Sequence, residues 1–279
     1  MTPHHLPWHL RVHFRLVHQI GRRVDRCITR LAAGRELGLN NPGVTRITCP
    51  HRPLAGRRAV QLSDLHIEWY LPRYDRVLEQ IAGLAPDWIF VTGDLLNNAA
   101  GMMPAFRFLA GLQRLAPTFV TLGNHDHHSG VPISEFCELA DRHKLCLLIN
   151  QATFVPLERG ELCIVGLDDP SLHRADPRCI PTARPNRFTV LLAHAPNVLD
   201  LLDHRHATDL VLSGHSHGGQ WRFPGITPFW LPYGCRRRAN GFHVHNGHRL
   251  YVNRGLGWSS LPIRLNCPPE ILVIDWTDA

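Results

Sequence analysis

The chain has 279 residues, of which 44% are hydrophobic and 19% charged, and carries a net charge of +7. That length and balance fit one large folded domain and exclude an extensively disordered chain. Its eight cysteines contain no Cys-x-x-Cys pair, which excludes a zinc ribbon or a thioredoxin-type site, and no apolar run reaches the roughly 20 residues of a membrane span.

No hydrophobic signal-peptide core is visible at the start of the chain. Cys146 and Cys163 sit inside apolar runs, where a free thiol behaves as a small buried hydrophobe, so a reducing, cytoplasmic setting is expected. The charge is unevenly placed: residues 1–60 hold 11 arginines against Asp25 and Glu36, while the remainder holds 19 basic and 21 acidic side chains. A basic appendage on a nearly neutral body points to a surface-binding segment rather than a basic catalytic face.

In chain order, the first predicted element is a helix over 6–33. Leu6, Leu10, Phe14, Val17, Ile20, Val24, Ile28 and Leu31 recur in steps of three and four and share one face, with the arginines mostly elsewhere. Such a helix can lie in a bilayer interface with its arginines near lipid phosphates, or dock on its own domain with them in water. Residues 1–43 are therefore set apart from a main domain at 44–279.

From residue 44 the pattern becomes a repeated strand, loop and helix. Strands are expected at 59–63, 88–92, 118–122, 162–167, 189–193 and 209–213, and helices at 72–84, 104–115, 133–145 and 197–204. Alternation of this kind predicts an α/β fold with a largely parallel sheet core. The tail beyond about residue 219 is rich in glycine, proline and aromatics, with short strands at 242–245, 249–253 and 271–275 that are expected to complete a second sheet.

The residues just beyond the strands carry the chemistry. The strand at 59–63 runs into Asp64-Leu-His66, and that at 88–92 into Gly93-Asp94. The strand at 118–122 runs into Gly123-Asn124-His125-Asp126, that at 189–193 ends at His194, and the last at Gly214-His215-Ser216-His217. Strand C-termini are where α/β sheets place ligand sites, and short loops keep the side chains on rigid ends. Carboxylates, an amide carbonyl and imidazoles without thiolates suit Mn, Fe or Zn in a catalytic site rather than a structural zinc. Asp64, His66, Asp94, Asn124, His194, His215 and His217 are enough to hold two divalent ions about 3.5–4 Å apart, the arrangement that activates water and clamps a phosphoryl group.

Taken in order, these motifs resemble the signature of calcineurin-like metallophosphoesterases, over roughly residues 58–275. The resemblance implies a four-layer sandwich of two mixed sheets flanked by helices. It implies one ion on Asp64, His66, Asp94 and His217, and a second on Asp94, Asn124, His194 and His215, with Mn favoured. His125 would then be the non-ligand histidine that serves the leaving oxygen, and Asp126 would orient it.

Gly214-His-Ser-His-Gly-Gly-Gln220, Tyr251-Val-Asn-Arg-Gly-Leu-Gly257 and Ile263-Arg-Leu-Asn-Cys-Pro-Pro-Glu270 resemble a bacterial membrane-associated branch similar to UDP-2,3-diacylglucosamine pyrophosphatases of lipid A synthesis. That likeness implies a lipid-linked phosphodiester or pyrophosphate substrate and a peripheral place on the inner face of the membrane. Members often begin with a spanning helix, from which the arginine-rich 6–33 departs. Asn97 stands where many relatives carry an acid.

Asp168 and Asp169 end the 162–167 strand on the same rim. Asp169, Arg254 and Arg264 are candidate substrate contacts, set against loop capping and ordinary ion pairing. The apolar loop Trp221–Tyr233, with Arg236-Arg-Arg238 just after it, is a candidate acyl-chain groove or membrane contact. The alternatives are a general phosphodiesterase, a nuclease, and a non-catalytic scaffold. The body's slight acidic excess argues against nucleic acid as a partner, and the complete ligand set argues against a scaffold.

Overall fold

Five runs that the sequence marks as apolar are buried on both faces, as strands covered from two sides must be. They are β2 (Arg58–Leu62), β3 (Trp88–Thr92), β4 (Thr118–Thr121), β8 (Arg187–Leu192) and β9 (Leu210–Ser213). The structure is a computed structural model that describes residues 42–222, 231–235, 238–259 and 264–278. The helix expected over 6–33, most of the apolar loop at 221–233, and Arg236 and Arg237 lie outside the described residues.

The other strands are β1 (Gly43–Pro50), β5 (Cys146–Leu147), β6 (Gln151–Leu157), β7 (Gly160–Gly166), β10 (Gly241–His245), β11 (His248–Val252) and β12 (Glu270–Thr277). They form two six-stranded mixed sheets, ordered β1-β12-β2-β3-β4-β5 and β10-β11-β9-β8-β7-β6. In the first, β2 to β5 run parallel and β12 lies antiparallel to β2 and parallel to β1. In the second, β7, β8, β9 and β11 are parallel, with β6 and β10 antiparallel at the edges.

The helices are α1 (Pro72–Leu84), α2 (Met102–Leu115), α3 (Asn124–His128) and α4 (Ile133–Arg142). Val77, Ile81, Phe106, Leu109, Leu112, Phe136 and Leu139 from α1, α2 and α4 pack on the outer face of the first sheet. Ala59, Phe90, Phe119, Ile164, Val190, Leu212, Ile274 and Trp276 fill the space between the sheets. On the outer face of the second sheet, Val198, Leu199 and Leu202 cover Cys163, Val165 and Leu191.

The α/β sandwich of two mixed sheets is the expected fold, with three departures. The helix expected at 197–204 is a 3-10 turn, Pro196–Asp200, because its apolar stripe ends at Leu202 and gives way to polar residues at 203–206. The tail does not form one sheet: β10 and β11 join the second, while β12 crosses back into the first between β1 and β2. Strands β1, β5 and β6, which sequence reasoning did not find, are sheet edges with many partly exposed side chains.

Candidate dinuclear metal centre

The C-terminal ends of β2, β3, β4, β8 and β9 meet at one end of the sandwich, and the loops that leave them turn sharply. Asp64, His66, Asp94, His215 and His217 all have left-handed backbone, with φ of 52°, 47°, 52°, 67° and 49°. Non-glycine residues adopt that region at a cost of order 1–3 kcal/mol each, and clusters of them mark functional sites. Gly123 permits a close approach, since a Cβ there would lie 2.8 Å from the His194 ring and would overlap the Asp94 carboxylate.

Six of the seven residues come together in two groups of potential ligand atoms, Asp64–His66–His217 and Asp94–His194–His215, and a third group, His66–Asp94–His125, overlaps both; in each the ligand atoms lie within 4.8 Å of one another. Asp94 lies between the first two: its Oδ2 is 3.5 Å from His66 Nε2 and 3.2 Å from His194 Nε2. Asp64 Oδ1 is 3.4 Å from His217 Nε2, and His66 and His217 bring their Nε2 atoms to 3.0 Å. His194 Nε2 and His215 Nδ1 are likewise 3.0 Å apart. Nitrogen and oxygen lone pairs crowded this closely on buried residues are a donor set suited to cations. Asn124, the seventh, adds an independent sign, since its Oδ1 is a buried carbonyl oxygen with no hydrogen-bond partner. An orphaned buried acceptor is costly unless it ligates something.

The remaining ring nitrogens are held by fixed acceptors. His194 Nδ1 donates to the Thr92 carbonyl (2.8 Å), His215 Nε2 to the Tyr233 carbonyl (2.8 Å) and His66 Nδ1 to Asn97 Oδ1 (2.6 Å). Each contact leaves the opposite nitrogen facing the centre, which is how outer partners orient metal-binding histidines. Burial, reinforced by the neighbouring histidines, lowers His66 and His215 to about 3 and His217 well below its usual value, so all three carry free lone pairs near pH 7. Burial pushes Asp64 up to about 6, against the charge of His194. Burial also opposes the charges on Asp94 and His194, but their mutual attraction prevails and keeps the carboxylate ionised and the imidazole pKa high.

His125 is half-buried at the opening, its ring edge-on to His66 with centroids 4.7 Å apart, and its backbone amide donates to Asp94 Oδ1 (2.8 Å). Asp126 does not reach the His125 ring. Its Oδ2 accepts from the Gly123 amide (2.8 Å) and its Oδ1 from those of Leu95 (2.8 Å) and Leu96 (3.3 Å). It therefore ties the start of α3 to the loop after β3, and the orienting role inferred from the resemblance is corrected to that one.

The three substrate-contact candidates each have partners within the protein. Asp169 is fully buried and both its oxygens engage Ser171, capping a 3-10 turn. Arg254 pairs with Glu270, its Nε 3.2 Å from Oε2. Arg264 is buried behind His217, its Nη2 3.5 Å from the ring Nδ1, and donates to the carbonyls of Gly257 (2.6 Å), Arg254 (2.8 Å), Cys267 (3.3 Å) and His217 (3.5 Å). Asp168 holds the next histidine on the rim, His127, through Nε2 at 2.5 Å, and Arg174 through Nε at 3.1 Å. Sequence reasoning missed the roles of Asn97, Thr92, Tyr233 and His127. Only Asn97 gave a signal, by standing where an acid is usual.

A two-sheet sandwich whose strand ends gather His/Asp groups on either side of Asp94 defines a metal-dependent phosphoesterase with a site suited to two ions. The chain belongs to the calcineurin-like phosphoesterase family, whose model matches residues 57–219. It is similar to Phosphodiesterase YaeI of Escherichia coli (strain K12), at 30% identity over 77% of this chain and 80% of that protein. Two metallophosphoesterases of Bacillus subtilis (strain 168) match comparably. YkuE is 32% identical over 78% of each chain, and YkoQ is 29% identical over 76% of this chain and 80% of its own. No helix among the described residues is long and apolar enough to cross a membrane.

Proposed function

We propose that this chain is a two-metal phosphodiesterase in which Asp64, His66, Asp94 and His217 hold one ion and Asp94, Asn124, His194 and His215 the other, with Mn the favoured metal. The observation that carries the reading is the Asp94 carboxylate, whose Oδ2 is within 3.5 Å of a ring nitrogen from each group. The relative named as a phosphodiesterase supports a diester as the substrate. Two bound divalent ions supply positive charge to the phosphoryl oxygens and lower the pKa of water.

The protein's own residues do the rest. Asn124 and Asp94 hold their oxygens toward the centre, and the carbonyls of Thr92 and Tyr233 keep His194 and His215 from rotating. His125, anchored through its amide to Asp94, stands at the opening, where its ring gives a proton to the departing alkoxide oxygen. The reaction adds water across one P–O bond, yielding a phosphomonoester and an alcohol, or two phosphates if the bond is a pyrophosphate.

The substrate class we favour is a lipid-linked diester or pyrophosphate such as UDP-2,3-diacylglucosamine, met at the inner membrane face through residues 1–43. The 11 arginines of residues 1–60 and the apolar face over 6–33 support that reading. The test is Mn-dependent hydrolysis of UDP-2,3-diacylglucosamine, read by mass spectrometry beside a soluble aryl phosphodiester. UMP released from the lipid at the higher kcat/KM is the expected result. Cleavage of the aryl diester alone would overturn the lipid substrate and leave the two-metal reading standing. Cleavage of neither would overturn both.

A further inference from the structure

Beneath the metal-facing side chains lies a buried polar network that bridges the two sheets, and Gln61 is its hub. Gln61, Thr92, Ser213 and Asn253 are all fully buried. Gln61 Nε2 donates to Thr92 Oγ1 (2.8 Å) on β3 and to the Ser213 carbonyl (3.2 Å) on β9, while its Oε1 accepts from Asn253 Nδ2 (3.1 Å) just beyond β11. The amide orientation is fixed, because the Ser213 carbonyl can only accept. Asn253 Oδ1 in turn accepts from the Gly255 amide (2.7 Å).

The network's three strands β2, β3 and β9 lead into the site. Three residues beyond Gln61 on β2 is Asp64, two beyond Thr92 is Asp94, and two beyond Ser213 is His215. Thr92 is used twice, since its carbonyl accepts both His194 Nδ1 (2.8 Å) and Ser63 Oγ (3.0 Å). The loop after Asn253 closes on Asp64: Gly257 donates to the Asp64 carbonyl (2.7 Å), and a Cβ on Gly255 would lie 2.7 Å from that of Asp64. Each proposed ion takes ligands from both sheets, so the spacing of the sheets at this end sets the spacing of the ligands. Apolar packing alone resists sliding weakly at this point, whereas three directed bonds from one amide fix the offset of β2, β3 and β9.

We propose that Gln61 is a positioning residue for the dinuclear centre, holding the two sheets in the register at which their strand ends bind metal. The inference rests on the two-ion reading above and adds a residue that touches no ligand atom. The consequence is that Gln61→Met, which keeps the volume but removes all three bonds, loosens metal binding without altering any proposed ligand. Removing a direct hydrogen-bond partner of a ligand typically costs about 10–100-fold in metal affinity, and Gln61, one bond further out, is expected to cost about the lower end of that range.

The experiment is calorimetric titration of Mn into metal-stripped protein, comparing wild type, Gln61→Met and Thr92→Val, with thermal melting of the stripped forms alongside. The expected result is two sites in wild type, both weakened about 10-fold or more in Gln61→Met. Activity on an aryl diester should recover as Mn is raised to saturation. Thr92→Val removes one bond of the network and keeps the carbonyl that holds His194, so a smaller loss in the same direction is expected. It also carries the test if Gln61→Met does not fold. Mn affinities within about twofold of wild type in every folded variant, well inside the loss expected for an outer partner, overturn the positioning role even if melting temperatures fall. Failure of wild type to bind two ions overturns the two-ion reading instead.

Discussion

Asn124 is the residue whose surroundings say most about the site, because its buried Oδ1 has no hydrogen-bond partner within the protein. Asn124→Ala is expected to leave the fold intact, reduce bound metal from two ions to one, and lower kcat/KM by about 10²-fold or more. Metal analysis of the purified variant checks this, and two retained ions would count against the ligand role. His125 calls for the opposite outcome. It lies beside His66 at the edge of the centre, so His125→Ala should keep both ions and lose on the order of 10²–10⁴-fold in kcat, as for a missing proton donor. Loss of metal in that variant would show that its ring is a ligand and that the leaving group is served by another residue.

At the scale of single elements, α3 is a five-residue helix held at its start by Asp126, which accepts three backbone amides from two loops. Asp126→Ala would leave those buried donors unpaired, at about 1–3 kcal/mol for each group. The expected result is a lower melting temperature together with weaker metal binding, because Asn124 rides on the same helix. An unchanged melting temperature, with only the pH profile of kcat altered, would restore the orienting role.

The strand ends bearing Asp64, Asp94 and His215 were legible in the sequence because β2, β3 and β9 are short, mainly apolar runs broken by polar residues. The edges β1 and β6 were not, since many of their side chains face water and their alternation is weak. The turn at Pro196–Asp200 buries the same Val198 and Leu199 that a helix would, so one apolar stripe could not separate the two forms. Nor could local sequence show that Arg264 spends its guanidinium on four carbonyls, because Gly257, Arg254 and His217 reach it only through the fold.

For the whole molecule, the two sheets act as jaws whose matching ends carry the chemistry, joined between them by the packed core of Phe90, Phe119, Ile164 and Trp276. Each proposed ion would cross-link the jaws, so metal should stabilise the folded state by mass action as well as enable catalysis. The basic N-terminal segment belongs to the same scale. Deleting residues 1–40 should weaken sedimentation with anionic phospholipid vesicles and spare hydrolysis of a soluble aryl diester, whereas unchanged sedimentation would remove the membrane reading.

The central claim is that Asp94 joins two ions in one catalytic centre. Its most direct test is to titrate Mn into the chelator-stripped protein while monitoring both bound metal and hydrolysis of an aryl phosphodiester, in wild type and in Asp94→Asn. Two ions per chain in wild type, activity that appears as the second site fills, and loss of both in the variant are the predicted results. Full activity with a single ion, or an Asp94→Asn protein that still binds two ions and turns over substrate, would contradict it.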